Sequence, residues 1–500
     1  MIDTILTLYF ISLLVLFIFG SHGFIMVFHY YKHRFNKTIQ PDLPNELPHV
    51  TIQLPMFNEK YVAQRLLDSV CEIEYPKNKL EIQVLDDSTD DTVSIVENIV
   101  KEKQNLGFDI IHIHRTNRKG FKAGALKEGL EKAKGEFVAI FDADFVPKNY
   151  FLMKTIPYFY SDKKTGMVQT RWEHLNETYS ILTRVQALAL DGHFVIEQNI
   201  RNKAGFFINF NGTGGVWRKS CIMDAGNWQA DTLTEDLDLS YRAQLKGWKF
   251  KFLRDVVSPA ELPAEINALK SQQFRWTKGA IETAIKLLPK VLKSDLPLRK
   301  KIHSVFHLTN NFVFPFILVA AILNTPLIFI KHYGGYESYF QFMSIFIFAF
   351  IGSFLFYLYS QKDIYEDWQR RISFFPLFMA GSMGFAVNNT RAVLEGLFGK
   401  KSEFIRTPKY SIKEKNDSWK NNNYTIKKIH WTVWVEFALA VYCFGGVVSA
   451  IYYLELASIP FQLLFFTGFA FMSYQSLRVA FFDRFNLTRT ALLQREVASA

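Results

Sequence analysis

Cysteine is scarce, with three residues in 500: Cys71, Cys221 and Cys443. They lie far apart and form no CxxC pair, so neither a disulfide framework nor a thiolate zinc site is expected. A secretory leader of the usual form is also lacking. The apolar run over residues 4–31 is longer than a signal-peptide core, with no basic stretch before it and no small-residue cleavage pattern after it. An uncleaved membrane anchor is expected instead. Acidic residues are in deficit, 47 Asp and Glu against 58 Lys and Arg, for a formal net charge of +11. That sign suits nucleic acid, anionic lipid or an anionic substrate. Much of the excess flanks apolar runs, at 31–34 and 391–428. Membrane-surface placement accounts for it, and no nucleic-acid partner is expected.

Apolar surface is what the chain has in plenty. Hydrophobic residues make up 49% and aromatics 16%, with 49 Phe, which is high for a soluble domain. The excess falls in residues 1–31 and 305–480, while 32–300 reads as a mixed α/β stretch. Long apolar runs at 4–31, 306–330, 339–359, 431–453 and 461–479 predict five membrane spans. A sixth stretch, 372–398, carries Asn388, Asn389, Arg391 and Glu395, which are costly facing lipid. Basic residues at 32–34 place the chain from there to the second span in the cytosol. If 372–398 does not cross, the basic loop 400–428 and the cationic tail near 478–495 are cytosolic too, with 332–337 and 454–460 outside. An interfacial or re-entrant segment is therefore expected at 372–398. The expected organisation is an anchor over 1–34, a cytosolic catalytic domain with interfacial helices over 35–300, a membrane bundle over 301–485 with a cytosolic loop at 399–430, and a cytosolic tail over 486–500.

Within 32–300, strands and helices alternate. The β-branched run 49–56 is stopped by Pro55 and Asn58 and reads as a buried strand opening onto a loop. Helical spacing follows over 62–73. Further strands are predicted at 80–85, 109–114 and 137–141, with a helix at 123–133. This alternation predicts a doubly wound, mostly parallel α/β sheet, which binds ligands at the carboxyl ends of its strands. Two acidic clusters fall there, 86–91 and Asp142-Ala143-Asp144. Paired carboxylates at a strand end hold Mg2+ or Mn2+, hard cations that share their coordination with phosphate. A bare Asp-x-Asp is usually a solvated turn. Here Val-Ala-Ile-Phe precedes it and a second acidic strand end matches it.

Asp86 or Asp87 is a candidate contact for a nucleotide base or ribose, the alternative being an acidic turn that caps a helix. Lys122, just before a helix start, meets a diphosphate or is a plain surface lysine. Thr234-Glu235-Asp236 precedes an amphipathic run at 237–245. Asp236 there is a candidate general base for an acceptor hydroxyl, which is compatible with acidic residues favoured at a helix start. In Gln272-Gln273-Phe274-Arg275-Trp276, Trp276 offers a flat face to a sugar ring and Arg275 a planar fork to a diphosphate. The other reading is a snorkelling Arg beside an interfacial Trp.

These motifs occur together and in one order. The chain resembles the processive members of glycosyltransferase family 2, whose D, DxD, TED and QxxRW signature reads here as Asp87, Asp142-Ala143-Asp144, Thr234-Glu235-Asp236 and Gln272…Arg275-Trp276. It looks most like plant cellulose-synthase-like A and C proteins, makers of mannan and of the xyloglucan backbone, across 53–59, 84–90, 121–126, 141–145, 210–218 and 247–250. Farther on, Phe404-Ile405-Arg406-Thr407-Pro408-Lys409 is similar to the FxVTxK gating loop of bacterial cellulose synthases, with Arg406 where that pattern has Val.

The resemblance implies a GT-A domain joined to a helical membrane bundle. It implies inverting transfer from UDP-glucose or GDP-mannose into a β-linked polysaccharide, which the bundle translocates. It gives Asp236 the role of base. It assigns Asp86, Asp87, Lys122, Asp142, Gln272 and Arg275 to the nucleotide sugar, and Asn211, Gly212, Thr213, Glu235 and Trp276 to the acceptor. Phe404, Thr407 and Lys409 would form a gating loop, and Asp142 with Asp144 would hold Mg2+ or Mn2+. The expected partners are the nucleotide-diphospho-sugar, a growing glycan or lipid acceptor, and the bilayer, in a bacterial or archaeal plasma membrane. The alternative is a non-processive transferase placing one sugar on a lipid. A transporter with a degenerate regulatory domain is disfavoured, because a dead domain has no need of Asp142, Asp144 and Asp236 together.

Overall fold

The structure is a computed structural model of the 500-residue chain. It describes all residues except 37–38, 403–405, 413, 415–416, 418, 420–423, 426–427 and 499–500, and only the backbone of 482–498. The β-branched runs fold into β1 (Val50–Met56), β2 (Leu80–Asp86), β3 (Asp109–His114) and β4 (Phe137–Ile140), followed by β5 (Thr165–His174), β6 (Gly215–Arg218) and β7 (Lys249–Ala260). They form one sheet in the order β3-β2-β1-β4-β6-β5-β7. β1 runs parallel to β2 and β4, β2 to β3, and β5 to β7. Only β6 is antiparallel, to β4 and β5, so the expected mostly parallel α/β architecture is present.

Period-two alternation divides the side chains between two cores. On one face Val50, Ile52, Leu54, Phe137 and Ala139 pack with Leu66 and Val96 of the helices Ala63–Cys71 and Thr92–Asn105. On the other, Leu85, Val138 and Ile140 pack with Leu126 and Leu130 of the helix Phe121–Lys132. Each fully buried Val, Ile or Leu contributes about 1.5–3 kcal/mol. The register pairs Met56 with Asp86 and Gln53 with Ile140. Both acidic clusters therefore emerge on the same side, at the carboxyl ends of neighbouring strands.

Five helices are long and apolar enough to cross a membrane: Ile2–His33, Leu298–Gly334, Glu337–Ile364, Thr432–Tyr452 and Leu456–Phe481. They match the five predicted runs. The sixth stretch folds as two helices, Phe375–Gly384 and Ala386–Leu397. They meet at Phe385, whose backbone stays in the right-handed helical region. The polar residues of the second helix turn inward. Asn388 Nδ2 donates to the Lys270 carbonyl at 3.1 Å, Asn389 is buried, and Arg391 pairs with Glu395 at 2.8 Å.

The long helix Ile266–Lys293 joins sheet to bundle. Lys270 Nζ meets Glu436 at 2.5 Å and Ser476 Oγ at 2.9 Å, and Lys278 lies 3.6 Å from Glu395. Gln272, Arg275 and Trp276 sit on this helix, between those two anchors.

Candidate active site

The carboxyl ends of β1, β2 and β4 and the helix Ile266–Lys293 enclose one cleft. Asp87, Lys122, Asp142, Asp144, Asn211, Gly212, Glu235, Asp236, Gln272, Arg275 and Trp276 all line it. Gly120, at φ +73°, turns the chain into the helix Phe121–Lys132, a left-handed conformation that suits glycine. That turn sends Lys122 across the cleft, where Nζ donates to Asp142 Oδ1 at 2.6 Å and to the Gly212 carbonyl at 2.9 Å. Burial works against the Lys122 charge, but Asp142, Glu235 and Asp236 hold its pKa above the usual lysine range.

Asp236 sits in the first turn of the helix Glu235–Leu245, accepting from the Leu237 amide at 2.8 Å. Burial pushes its carboxyl up to about 7; the Glu235 carboxylate adds to this, and Lys122 and the backbone amides oppose it. Gly212, at φ +79°, passes directly over this acid. A Cβ there would stand 3.1 Å from Asp236 Oδ2 and 3.4 Å from Lys122 Nζ.

Three predicted residues sit apart from the cleft surface or are already engaged. Thr213 is buried beneath it, its hydroxyl accepting from the Asp142 amide at 2.9 Å. Asp86 is also buried, bound by His112 at 2.9 Å and by the Ser88 amide at 2.8 Å. Asp87 reaches the cleft but lies in a two-pronged pair with Arg115, at 2.7 and 2.6 Å. Phe404 lies outside the described residues.

Residues 48–279 match the family described as "Glycosyltransferase like family 2". That stretch belongs to glycosyltransferase family 2. Over 281 residues the chain is 43% identical to the probable glucomannan 4-beta-mannosyltransferase 4 of Oryza sativa subsp. japonica, covering 55% of this chain and 50% of that protein. It is 38% identical over 303 residues to glucomannan 4-beta-mannosyltransferase 9 of Arabidopsis thaliana, covering 58% and 57%. The chain thus spans about half the length of the curated relatives it matches. These relatives are plant proteins, which lends no support to the expected bacterial or archaeal setting. Among solved structures, the mannosyltransferase PcManGT from Pyrobaculum calidifontis in complex with GDP-Man and Mn2+ superposes with a TM-score of 0.53. It shares 19% identity and covers 78% of this chain and 100% of that one. At that identity the likeness concerns the GT-A fold.

The segment that follows the helix Ala386–Leu397 returns to the cleft. Arg406, Thr407 and Lys409 line it. Arg406 Nε meets Glu59 Oε1 at 2.8 Å and its Nη2 meets the other oxygen. Lys409 Nζ sits on Asp144 Oδ2 at 2.5 Å, and the Tyr410 amide donates to Glu261 at 3.0 Å. Burial raises the Glu59 carboxyl, with Arg406 opposing. The Arg406 departure from the gating pattern thus has a buried acidic partner. Sequence reasoning missed Glu59, Arg115 and Glu261, since each lies in a loop or strand end without spacing of its own.

The donor set suits a divalent cation shared with phosphate. Asp142 and Asp144 stand one residue apart at the cleft wall, each neutralised by a lysine ammonium. Among the described residues no three His, Cys, Asp or Glu form a ready metal cage. An ion there would take its remaining oxygens from the donor diphosphate, as Mg2+ and Mn2+ commonly do.

Proposed function

We propose that the chain is an inverting β-glycosyltransferase that draws on a nucleotide-diphospho-sugar and extends a β-linked polysaccharide. GDP-mannose is the favoured donor and UDP-glucose the second, because the relatives at about 40% identity are named as glucomannan mannosyltransferases. The observation that carries the reading is Asp236. A half-buried carboxyl with its pKa raised to about 7 suits general-base work at neutral pH, and it lies in one cleft with Lys122, Asp142, Asp144 and Arg275.

In this mechanism Asp236 removes the proton of an acceptor hydroxyl held against Gly212 and Trp276. The oxygen attacks the anomeric carbon from the face opposite the leaving group. A new C–O bond forms as the bond to the diphosphate breaks, and the electron pair leaves with the nucleoside diphosphate. Inversion converts an α-linked donor into a β-glycoside. Lys122 and Arg275 stabilise the charge developing on the leaving diphosphate. A divalent ion held by Asp142 and Asp144 supplies further Lewis-acid neutralisation when bound.

Trp276 supports processive extension. A ring face binds sugars with little demand on hydroxyl pattern, so successive units slide past it. The 406–410 loop, resting on Asp144, supports a gate that opens for donor exchange. On this reading the five apolar helices carry the product across the bilayer, with 400–428 cytosolic. The test is a donor screen of purified protein with labelled GDP-mannose, UDP-glucose and other nucleotide sugars, each with Mn2+ or Mg2+. Transfer from one of them supports the proposal, and turnover of none refutes it.

A further inference from the structure

The segment Gly192–Gln198 is a π-helix, a form that recurs at functional sites because its wider turn redirects side chains. Residues five apart share a face in it. His193 and Gln198 accordingly close on the same side chain, Asn211, from its two ends. Gln198 Nε2 donates to the Asn209 carbonyl at 2.7 Å. A carbonyl only accepts, so that contact fixes which end of the Gln198 amide is nitrogen. The same nitrogen lies 2.6 Å from Asn211 Oδ1, which fixes the Asn211 amide in turn. Asn211 Nδ2 then faces His193 Nε2 at 2.9 Å. An amide nitrogen only donates, so His193 Nε2 accepts and the ring proton lies on Nδ1.

That proton is donated to Glu197 Oε2 at 2.9 Å, while Arg201 Nη1 donates to Glu197 Oε1 at 3.1 Å. Burial opposes the Glu197 charge, but His193, Arg201 and His307 hold its carboxyl below the usual range. One chain of donors and acceptors therefore runs from Arg201 to Asn211, and every link has its direction set. Asn211 lines the cleft, and Gly212 beside it sits against Asp236. The Asn211 backbone amide is pinned by Gln169 Oε1 at 3.0 Å. One Nδ2 hydrogen is committed to His193, and the amide carries a second, which can serve a hydroxyl.

We infer that Glu197, His193 and Gln198 orient the Asn211 amide toward the acceptor sugar, which makes His193 a positioning residue for transfer. The inference rests on the proposed glycosyltransferase reading and adds to it a control of the acceptor end alone. Glu197→Gln is the sharp test, since it keeps the shape. The Arg201 guanidinium only donates, so it takes the single oxygen of the substituted side chain. The new amide nitrogen then faces His193 Nδ1 and drives the ring proton to Nε2, where it opposes Asn211 Nδ2.

The experiment uses the purified full chain, whichever of GDP-mannose and UDP-glucose the wild type consumes, and the matching β-1,4-linked hexasaccharide as acceptor. Glu197→Gln should raise the acceptor KM roughly 10- to 100-fold, the scale on which misplaced positioning groups act, and leave the donor KM within about twofold. If that variant does not fold, His193→Ala carries the same expectation. An unchanged acceptor KM in the folded variant overturns the inference. So does a rise in both constants together with a lowered melting temperature, which is the mark of a merely structural role. A wild type that transfers from neither donor is a different failure: it refutes the glycosyltransferase reading itself, and this inference with it.

Discussion

On the proposed reading, Lys409 and a divalent ion would compete for the Asp144 carboxylate. Lys409 Nζ lies 2.5 Å from Asp144, with side-chain exposures of 14% and 7%, so water screens the pair little. A hydrogen bond between charged groups contributes about 1.5–3 kcal/mol, which corresponds to roughly 10- to 100-fold in a binding constant. The donor-free protein must give up that contact before Asp144 can ligate Mn2+. Lys409→Met removes the competitor and keeps the apolar stem. Mn2+ titration of purified, donor-free protein, followed by electron paramagnetic resonance, should then show tighter binding by about tenfold or more. Turnover should fall in the same variant, because Lys409 ties the proposed gating loop to the cleft through Asp144. Asp144→Asn is the control and should abolish Mn2+ binding. If Lys409→Met binds Mn2+ no more tightly than wild type, the competition does not exist, and the loop's rest on Asp144 has no bearing on the metal.

Asp236→Asn should abolish transfer while donor still binds, and wild-type kcat/KM should fall on the acid side with a midpoint near 7, following the raised carboxyl. A raised carboxyl also means that this group stabilises the fold at low pH and loses that contribution as pH rises through about 7. Asp236→Asn should flatten this slope in melting temperature. Lys270→Met, which leaves Glu436 buried without its ammonium, should destabilise the protein by about 3–5 kcal/mol in thermal or denaturant unfolding. Adding Glu436→Met should recover most of that. Cysteine labelling at Lys401→Cys should occur only from the cytosolic face and at Leu456→Cys only from outside. Labelling of both from one side would overturn the topology.

Much of the fold was legible because its signals are local. The β-branched runs at 50–56 and 137–140 and the acidic residues just past them are set by short-range propensity and by the burial of a parallel sheet. The apolar runs announced the five long helices for the same reason. Other features are set by partners distant in sequence. Nothing near Gly192 signals a π-turn; it arises where Gly192 passes so close to Tyr357 that a Cβ would stand 2.4 Å from the ring. The four acidic positions at 86, 87, 142 and 144 look alike in sequence. Asp86 is drawn into the core by His112 and Asp87 is clamped by Arg115, while Asp142 and Asp144 stay on the cleft wall with lysines. The antiparallel β6 is only four residues long, too short to show a period of its own. The inward-facing Asn388 and Asn389 announced a segment unlike the others, and their partner Lys270 became visible only once the chains were folded together.

The most direct test is the product itself. The purified chain in lipid nanodiscs is given the labelled donor that it turns over, in excess, with Mn2+, and the product is sized before and after digestion with endo-acting β-1,4-mannanase or β-1,4-glucanase. Long, digestible polymer is the expected product, and Asp236→Asn should not make it. Label found only in free sugar, or in a glycolipid carrying a single sugar, would contradict that expectation.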